Sequence, residues 1–158
     1  MQKGTTGEVS VHVDAPPEAV YAAVSDISRM GEWSPETVHC EWIDGATGPA
    51  VGARFKGTNK RGFARWSTKP TVTAAEPGRV FAFDVLPDTR WTYRFEPDGD
   101  GTRLSESFEM LRDMPGYINF AERYLLRVKD RRADLEHGMT ETLGRIKAAV
   151  EADARRGG

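Results

Sequence analysis

Apolar and polar residues alternate across 8–14, where Val9, Val11 and Val13 stand between Glu8, Ser10, His12 and Asp14. That period of two predicts a half-buried strand. Ala15-Pro16-Pro17-Glu18-Ala19-Val20 follows. A proline can open a helix because its missing N–H would have been unpaired there, so a short helix is expected with Val20, Tyr21 and Val24 on one side. Asp26 reads as the N-cap of a second short helix over 27–32, which Trp33-Ser34-Pro35 stops.

Strand patterns then succeed one another over 38–43, 53–60, 64–75, 80–85, 90–95 and 103–111. Turn residues separate them at Gly45 to Gly52, Asn59 to Gly62, Glu76-Pro77-Gly78, Leu86-Pro87-Asp88 and Pro97 to Gly101. With the first strand this makes seven, joined mostly by sequential hairpins, which predicts an antiparallel meander.

The period changes to that of a helix over 119–154. Tyr124, Val128, Leu135, Met139, Leu143, Ile146 and Val150 recur at spacings of three, four or seven, with Arg, Lys, Glu and Asp opposite. Such a helix is about 50 Å long, more than the width of a small flat sheet, so the sheet is expected to curl around it. Gly138 within it costs roughly 1 kcal/mol against alanine and suggests a close approach or a bend. The expected architecture is an α+β helix-grip fold. A seven-stranded curved antiparallel sheet wraps a long C-terminal helix, with two short helices between strands 1 and 2. One domain, 8–154, is expected between a flexible N-terminus, 1–7, and a flexible tail, 155–158.

Bulk properties fit that picture and narrow the chemistry. The 158 residues, 39% hydrophobic and 29% charged, suit one folded domain. A net charge of −2 argues against a general electrostatic grip on nucleic acid or anionic lipid, and leaves room only for local basic clusters. Cys40 is the one cysteine, which rules out an intrachain disulfide, and His12, His39 and His137 are scattered; neither a metal nor a cofactor is expected. His39 and Cys40 are adjacent, so they point to opposite sides of their strand and make a poor dyad. Residues 1–8 lack the apolar core of a secretory signal, and no apolar run approaches the ~20 residues that span a bilayer. A cytoplasmic protein without stable membrane insertion is expected.

Quoted as they stand, His12-Val-Asp-Ala-Pro-Pro-Glu-Ala-Val20, Ser25-Asp-Ile27 and Gly31-Glu-Trp-Ser-Pro-Glu36 resemble the opening of the SRPBCC superfamily, the START-like and polyketide cyclase/dehydrase proteins. Gly52-Ala-Arg-Phe-Lys-Gly57, Glu76-Pro-Gly-Arg-Val-Phe-Ala-Phe83 and Gly101-Thr-Arg-Leu-Ser-Glu-Ser-Phe108 are similar to its later strands. The resemblance spans nearly the whole chain and implies the helix-grip fold. It is weak for function, because relatives include lipid carriers, hormone binders and aromatase/cyclases.

Alternation proposes which side chains point inward. Trp91, Tyr93 and Phe95 share one face of their strand, opposite Leu104, Glu106, Phe108 and Met110. A tight turn would set Phe95 opposite Leu104 and Tyr93 opposite Glu106. Phe55 and Asn59, Trp66, and Phe81 and Phe83 join from neighbouring strands, and Tyr124 and Val128 from the helix. This set either fills a core or lines a partly open cavity, and the resemblance favours the cavity. Glu106 is the most informative member, since a carboxylate between Leu104 and Phe108 is costly without a partner such as Tyr93, Asn59 or an arginine. It could hold a ligand hydroxyl, act as an acid or base beside Tyr93, make a structural hydrogen bond, or be turned outward by a bulge.

Three functions remain open. One is binding of a hydrophobic small molecule, a lipid or polyketide-like metabolite, by a monomer or weak homodimer. Another, implied by the resemblance, is an aromatase/cyclase-like enzyme with Glu106 and Tyr93 as catalytic candidates. The last is a regulatory or toxin-like interaction protein. Trp33 and Pro35 are expected to pin the second short helix, and Met110 to Phe120 to form a lid, a membrane-touching edge or plain packing. Arg54, Lys56, Lys60, Arg61 and Arg65 are expected to form a solvated outer face, with binding of anionic head groups or nucleic acid as the lesser alternative.

Overall fold

A computed structural model describes residues 1–85, 87–113 and 130–157. Strand β1 covers Thr6–Val13 and helix α1 Pro17–Val24, with Pro17 at its first position and Val20, Tyr21, Ala23 and Val24 buried. The expected second helix forms in two pieces, a 3-10 turn Ile27–Arg29 and the one-turn α2, Met30–Trp33. Asp26 caps the turn by accepting from the Ser28 N–H at 3.2 Å and the Ser28 hydroxyl at 2.5 Å. Trp33 is fully buried, with the Arg29 guanidinium 5.2 Å above its ring.

Seven more strands follow: β2 Thr37–Ile43, β3 Arg54–Arg61, β4 Ala64–Thr68, β5 Thr71–Glu76, β6 Val80–Val85, β7 Thr89–Asp98 and β8 Gly101–Met110. They form one curled antiparallel sheet in the order β1-β8-β7-β6-β5-β3-β2, with β4 also on β3. The sheet thus has eight strands where the pattern predicts seven, because the run 64–75 breaks at Lys69-Pro70. Proline has no N–H for the ladder and holds its predecessor in an extended conformation. The two pieces divide one edge of β3 between them. Gly57 to Arg61 pairs with β4, and Arg54 pairs with Thr71 of β5.

Helix α3, Arg131–Gly157, packs on the inner face. Met139, Leu143, Ile146 and Val150 are buried, as the stripe predicts, and Leu135 is half-buried. The earlier part of the expected helix, with Tyr124 and Val128, and most of the expected lid lie outside the described residues. Ion pairs and hydrogen bonds to the backbone fasten α3 along its length. Arg61 on β3 holds both Asp134 oxygens, at 2.6 and 2.8 Å, and also reaches Glu36 at 3.2 Å. Arg29 reaches Asp153 at 3.2 Å, Lys147 donates to the His12 carbonyl at 2.8 Å, and Glu151 accepts the Asp14 N–H at 2.8 Å. Arg61 therefore departs from the expected solvated face: it ties the sheet to the start of α3.

The glycines inside α3 meet no steric demand. A methyl at Gly138 would touch Pro35 Cγ at an ordinary 3.6 Å, and one at Gly144 would meet nothing within 4 Å. Gly144→Ala is therefore expected to stabilise the protein by about 0.5–1 kcal/mol, through lower backbone entropy in the unfolded chain. Thermal melts should register this as a rise of roughly 1–4 °C. An unchanged or lower Tm would count against α3 being helical through this position.

Candidate functional site

The β7–β8 hairpin has the register its short turn predicts, with Phe95 opposite Leu104 and Tyr93 opposite Glu106. The pairing runs unbroken from Thr89↔Met110 to Asp98↔Gly101, so no bulge turns Glu106 outward. Continuing across the sheet, two rows of inward residues emerge. One reads Val9, Glu106, Tyr93, Phe81, Ala75 from β1 to β5, and its neighbour reads Gly7, Phe108, Trp91, Phe83, Val72. Gly7 is a fitting residue at the head of the second row, because a methyl there would come within 2.5 Å of Phe108 Cε1.

The inner face is packed in two clusters. Phe55, Phe81, Phe83, Tyr93 and Phe95 join Leu143, Ile146, Val150 and the buried side of α1 in the larger one. Phe108, Met110 and Met139 form the smaller one, partly covered by Leu135. Within the larger, Phe83 lies 5.2 Å from Phe55 and 5.8 Å from Phe81, and Tyr21 meets Phe95 edge-on at 5.4 Å. Trp91 is 5.9 Å from Phe108, touches both clusters and is only half-buried. A large aromatic left part-exposed on the inner face is surface that an apolar ligand could cover.

Glu106 is the polar exception. It is 2% exposed, and its Oε1 has no hydrogen-bond partner among the described residues. Burial pushes its pKa from 4.5 up to about 8, with hydrogen bonding from the Tyr93 hydroxyl pulling partly the other way. The carboxyl is therefore mainly protonated at neutral pH, able to donate one hydrogen bond and accept others. Burial and the neighbouring Glu106 together raise the pKa of Tyr93 well above its ordinary value.

The remaining expected residues lie apart from this pair. Asn59 and Trp66 are half-buried and face each other across β3 and β4, where Asn59 Oδ1 accepts from the Thr37 hydroxyl at 3.1 Å. Neither shares the two rows. An open groove of about 470 Å³ lies near them, between Pro35 to Val38, the β3–β4 turn and the face of α3 bearing Asp134, His137 and Glu141. Cys40 is buried against Met30, its Sγ 3.8 Å from the thioether sulfur, and burial pushes its pKa to about 11. Its thiol stays protonated and unreactive, while His39 is exposed on the other side of β2.

Sequence reasoning placed Val9, Tyr21 and Met139 on the apolar sides of their elements but left them out of the candidate ligand-binding set. The strand period of β1 and the helix periods of α1 and α3 carry the signal for which side each faces. Which other element each meets depends on strand order, which local patterning does not contain.

A curled antiparallel sheet with two short helices after its first strand and a long C-terminal helix packed on it defines the helix-grip, START-like class. A family model described as polyketide cyclase/dehydrase and lipid transport matches residues 5–151, and the chain belongs to that family. A polyketide cyclase-like protein from Corynebacterium glutamicum, solved in solution, is 37% identical; the match covers 99% of this chain and 97% of that one, with a TM-score of 0.65. The fold is shared with the ZhuI aromatase/cyclase of Streptomyces sp. R1128, at 17% identity, 98% coverage of both chains and a TM-score of 0.71. It is shared too with an AHSA1-like protein from Aeromonas hydrophila, at 22% identity, 95% and 94% coverage and a TM-score of 0.65. No protein of curated function matches. Among the described residues no helix is long and apolar enough to cross a membrane. The family points to a hydrophobic ligand-binding fold.

Proposed function

We propose that the protein binds a hydrophobic small molecule, a lipid or polyketide-like metabolite, on the inner face of β6 to β8 under α3. Trp91, Phe83 and Phe108 would supply apolar surface, and Glu106 with Tyr93 the polar contact. The observation that carries this reading is the orphan Glu106 Oε1 amid apolar neighbours. A buried polar atom without a partner costs about 1–3 kcal/mol, which a ligand hydroxyl or carbonyl placed against the carboxyl would recover. Covering apolar surface contributes the rest, at about 25 cal/mol per Å². In this reading the protein works in the cytoplasm as a monomer or weak homodimer. Native mass spectrometry of protein taken from its own host should reveal a retained apolar compound. Glu106→Leu should reduce its retention at least about tenfold, the loss expected for one buried hydrogen bond. Protein that carries no small molecule, and whose affinity for fatty acids and aromatic polyketides is unchanged by the Glu106→Leu substitution, would refute the reading.

A cyclase-like enzyme is the second reading, favoured by the Glu106 pKa of about 8. A carboxyl poised so near neutrality can give a proton to a carbonyl oxygen and take one from carbon in an aldol cyclisation. Under this reading Glu106→Gln abolishes turnover and leaves binding nearly intact.

A further inference from the structure

Residues 54–69 carry six cations, Arg54, Lys56, Lys60, Arg61, Arg65 and Lys69, and no carboxylate, in a chain whose net charge is −2. Two are engaged: Arg54 with Asp44 at 2.9 Å, and Arg61 with Asp134 and Glu36. The other four are exposed and make no ion pair with the described residues. Lys60 and Arg65 stand directly opposite each other across β3 and β4. Like charges so placed repel, and an external anion between them relieves the repulsion. Alternation puts Lys56 and Lys60 on the outer face of β3, behind the buried Phe55 and Gly57. Glu41 faces Lys56 from β2, towards the end of the hairpin away from its tip.

The tip itself is apolar. Gly62, at φ +58°, takes the first place of a two-residue loop, where a positive φ is required, and Phe63 follows it. Phe63 is 85% exposed, the most exposed large hydrophobic residue among those described. Turn geometry needs no phenyl ring at that place, and a small polar residue would serve it in water. An aromatic ring projecting from a hairpin, with cations set just behind it, matches the boundary of a bilayer. There the ring enters the acyl region while the cations stay level with the phosphates. Nucleic acid fits less well, since a single projecting ring offers no platform for successive bases.

We propose that the β3–β4 hairpin docks the protein reversibly on anionic membrane surfaces, with Phe63 inserted and Lys60 and Arg65 on the headgroup phosphates. This inference is independent of what the inner face holds, because it concerns the opposite side of the sheet. Two signals together, one apolar and one basic, suit reversible attachment.

The full chain, mixed with phosphatidylcholine vesicles that do or do not contain phosphatidylserine, tests it by co-sedimentation. Binding should be at least about tenfold tighter to the anionic vesicles and should fade as salt shortens the screening length. The double variant Lys60→Glu/Arg65→Glu should lose about tenfold or more, and Phe63→Ser about threefold or more, on the same vesicles. All the substituted residues are solvent-facing, so thermal melts should match the wild type and exclude misfolding. Equal binding to both vesicle types, or Phe63→Ser binding as well as wild type, would overturn the proposal. So would charge reversal that instead abolishes retention of single-stranded RNA and leaves sedimentation with vesicles unchanged.

Discussion

Between pH 5 and pH 8 the wild-type protein is expected to lose about 3–4 kcal/mol of unfolding free energy that a Glu106→Gln variant keeps. The folded state holds the Glu106 proton up to about pH 8, whereas the unfolded chain releases it near 4.5. Below pH 4.5 both states are protonated and the group adds no pH dependence. Between the two values the unfolded chain gains the favourable ionised form, so stability falls as pH rises, and above 8 the curve levels again. A loss of that size is a large share of the roughly 5–15 kcal/mol that holds a domain folded. Glutamine keeps the shape and removes the titration, so the difference between the two urea-unfolding profiles isolates this one carboxyl from every other group. Parallel profiles would mean that Glu106 is already ionised in the folded protein, stabilised by a neighbouring cation. Both the neutral donor and the cyclase chemistry would then be lost.

The second large effect separates residues that merely fill space from those that present surface. Phe81 is completely buried against Tyr21, Phe83 and its cross-strand neighbour Tyr93, and Phe81→Ala should cost about 3–5 kcal/mol by leaving a cavity that the rigid sheet cannot close. Trp91 is half-buried, so Trp91→Ala should cost less, about 1–2 kcal/mol, while weakening retention of an apolar ligand several-fold. Urea denaturation and native mass spectrometry on the same two variants give both readings. If Trp91→Ala is as destabilising as Phe81→Ala and ligand retention does not change, Trp91 belongs to the packed interior and the ligand lies elsewhere.

What the sequence reveals here follows the range of each signal. Strand period and a short turn are local, and together they set Tyr93 opposite Glu106 from the chain alone. The helical stripe from Leu135 to Val150 and the capping role of Asp26 are equally local, and they agree with the fold. Pro70 is visible in the chain, but the valine, threonine and alanine around it continue the strand pattern and hide the break in 64–75. The tie made by Arg61 is hidden for a different reason. Its partner Asp134 is 73 residues away, and a run of cations looks the same whether it faces solvent or a distant carboxylate. The division of the inner face into two clusters, bridged by Trp91, depends on how strands from opposite ends of the chain meet α3. Alternation alone can nominate Phe108 and Phe83 for the same surface without revealing that each sits in a different cluster.

The lone thiol has a further use. Cys40 lies on β2, the terminal strand of the sheet, sealed beneath α2 with its sulfur against Met30. A trapping reagent can reach it only when that corner parts, and only after the sulfur has given up its proton in water. The protein therefore carries its own stopwatch for the breathing of one border: the pace at which Cys40 is captured counts how often α2 and the 3-10 turn before it lift from the strand they cover.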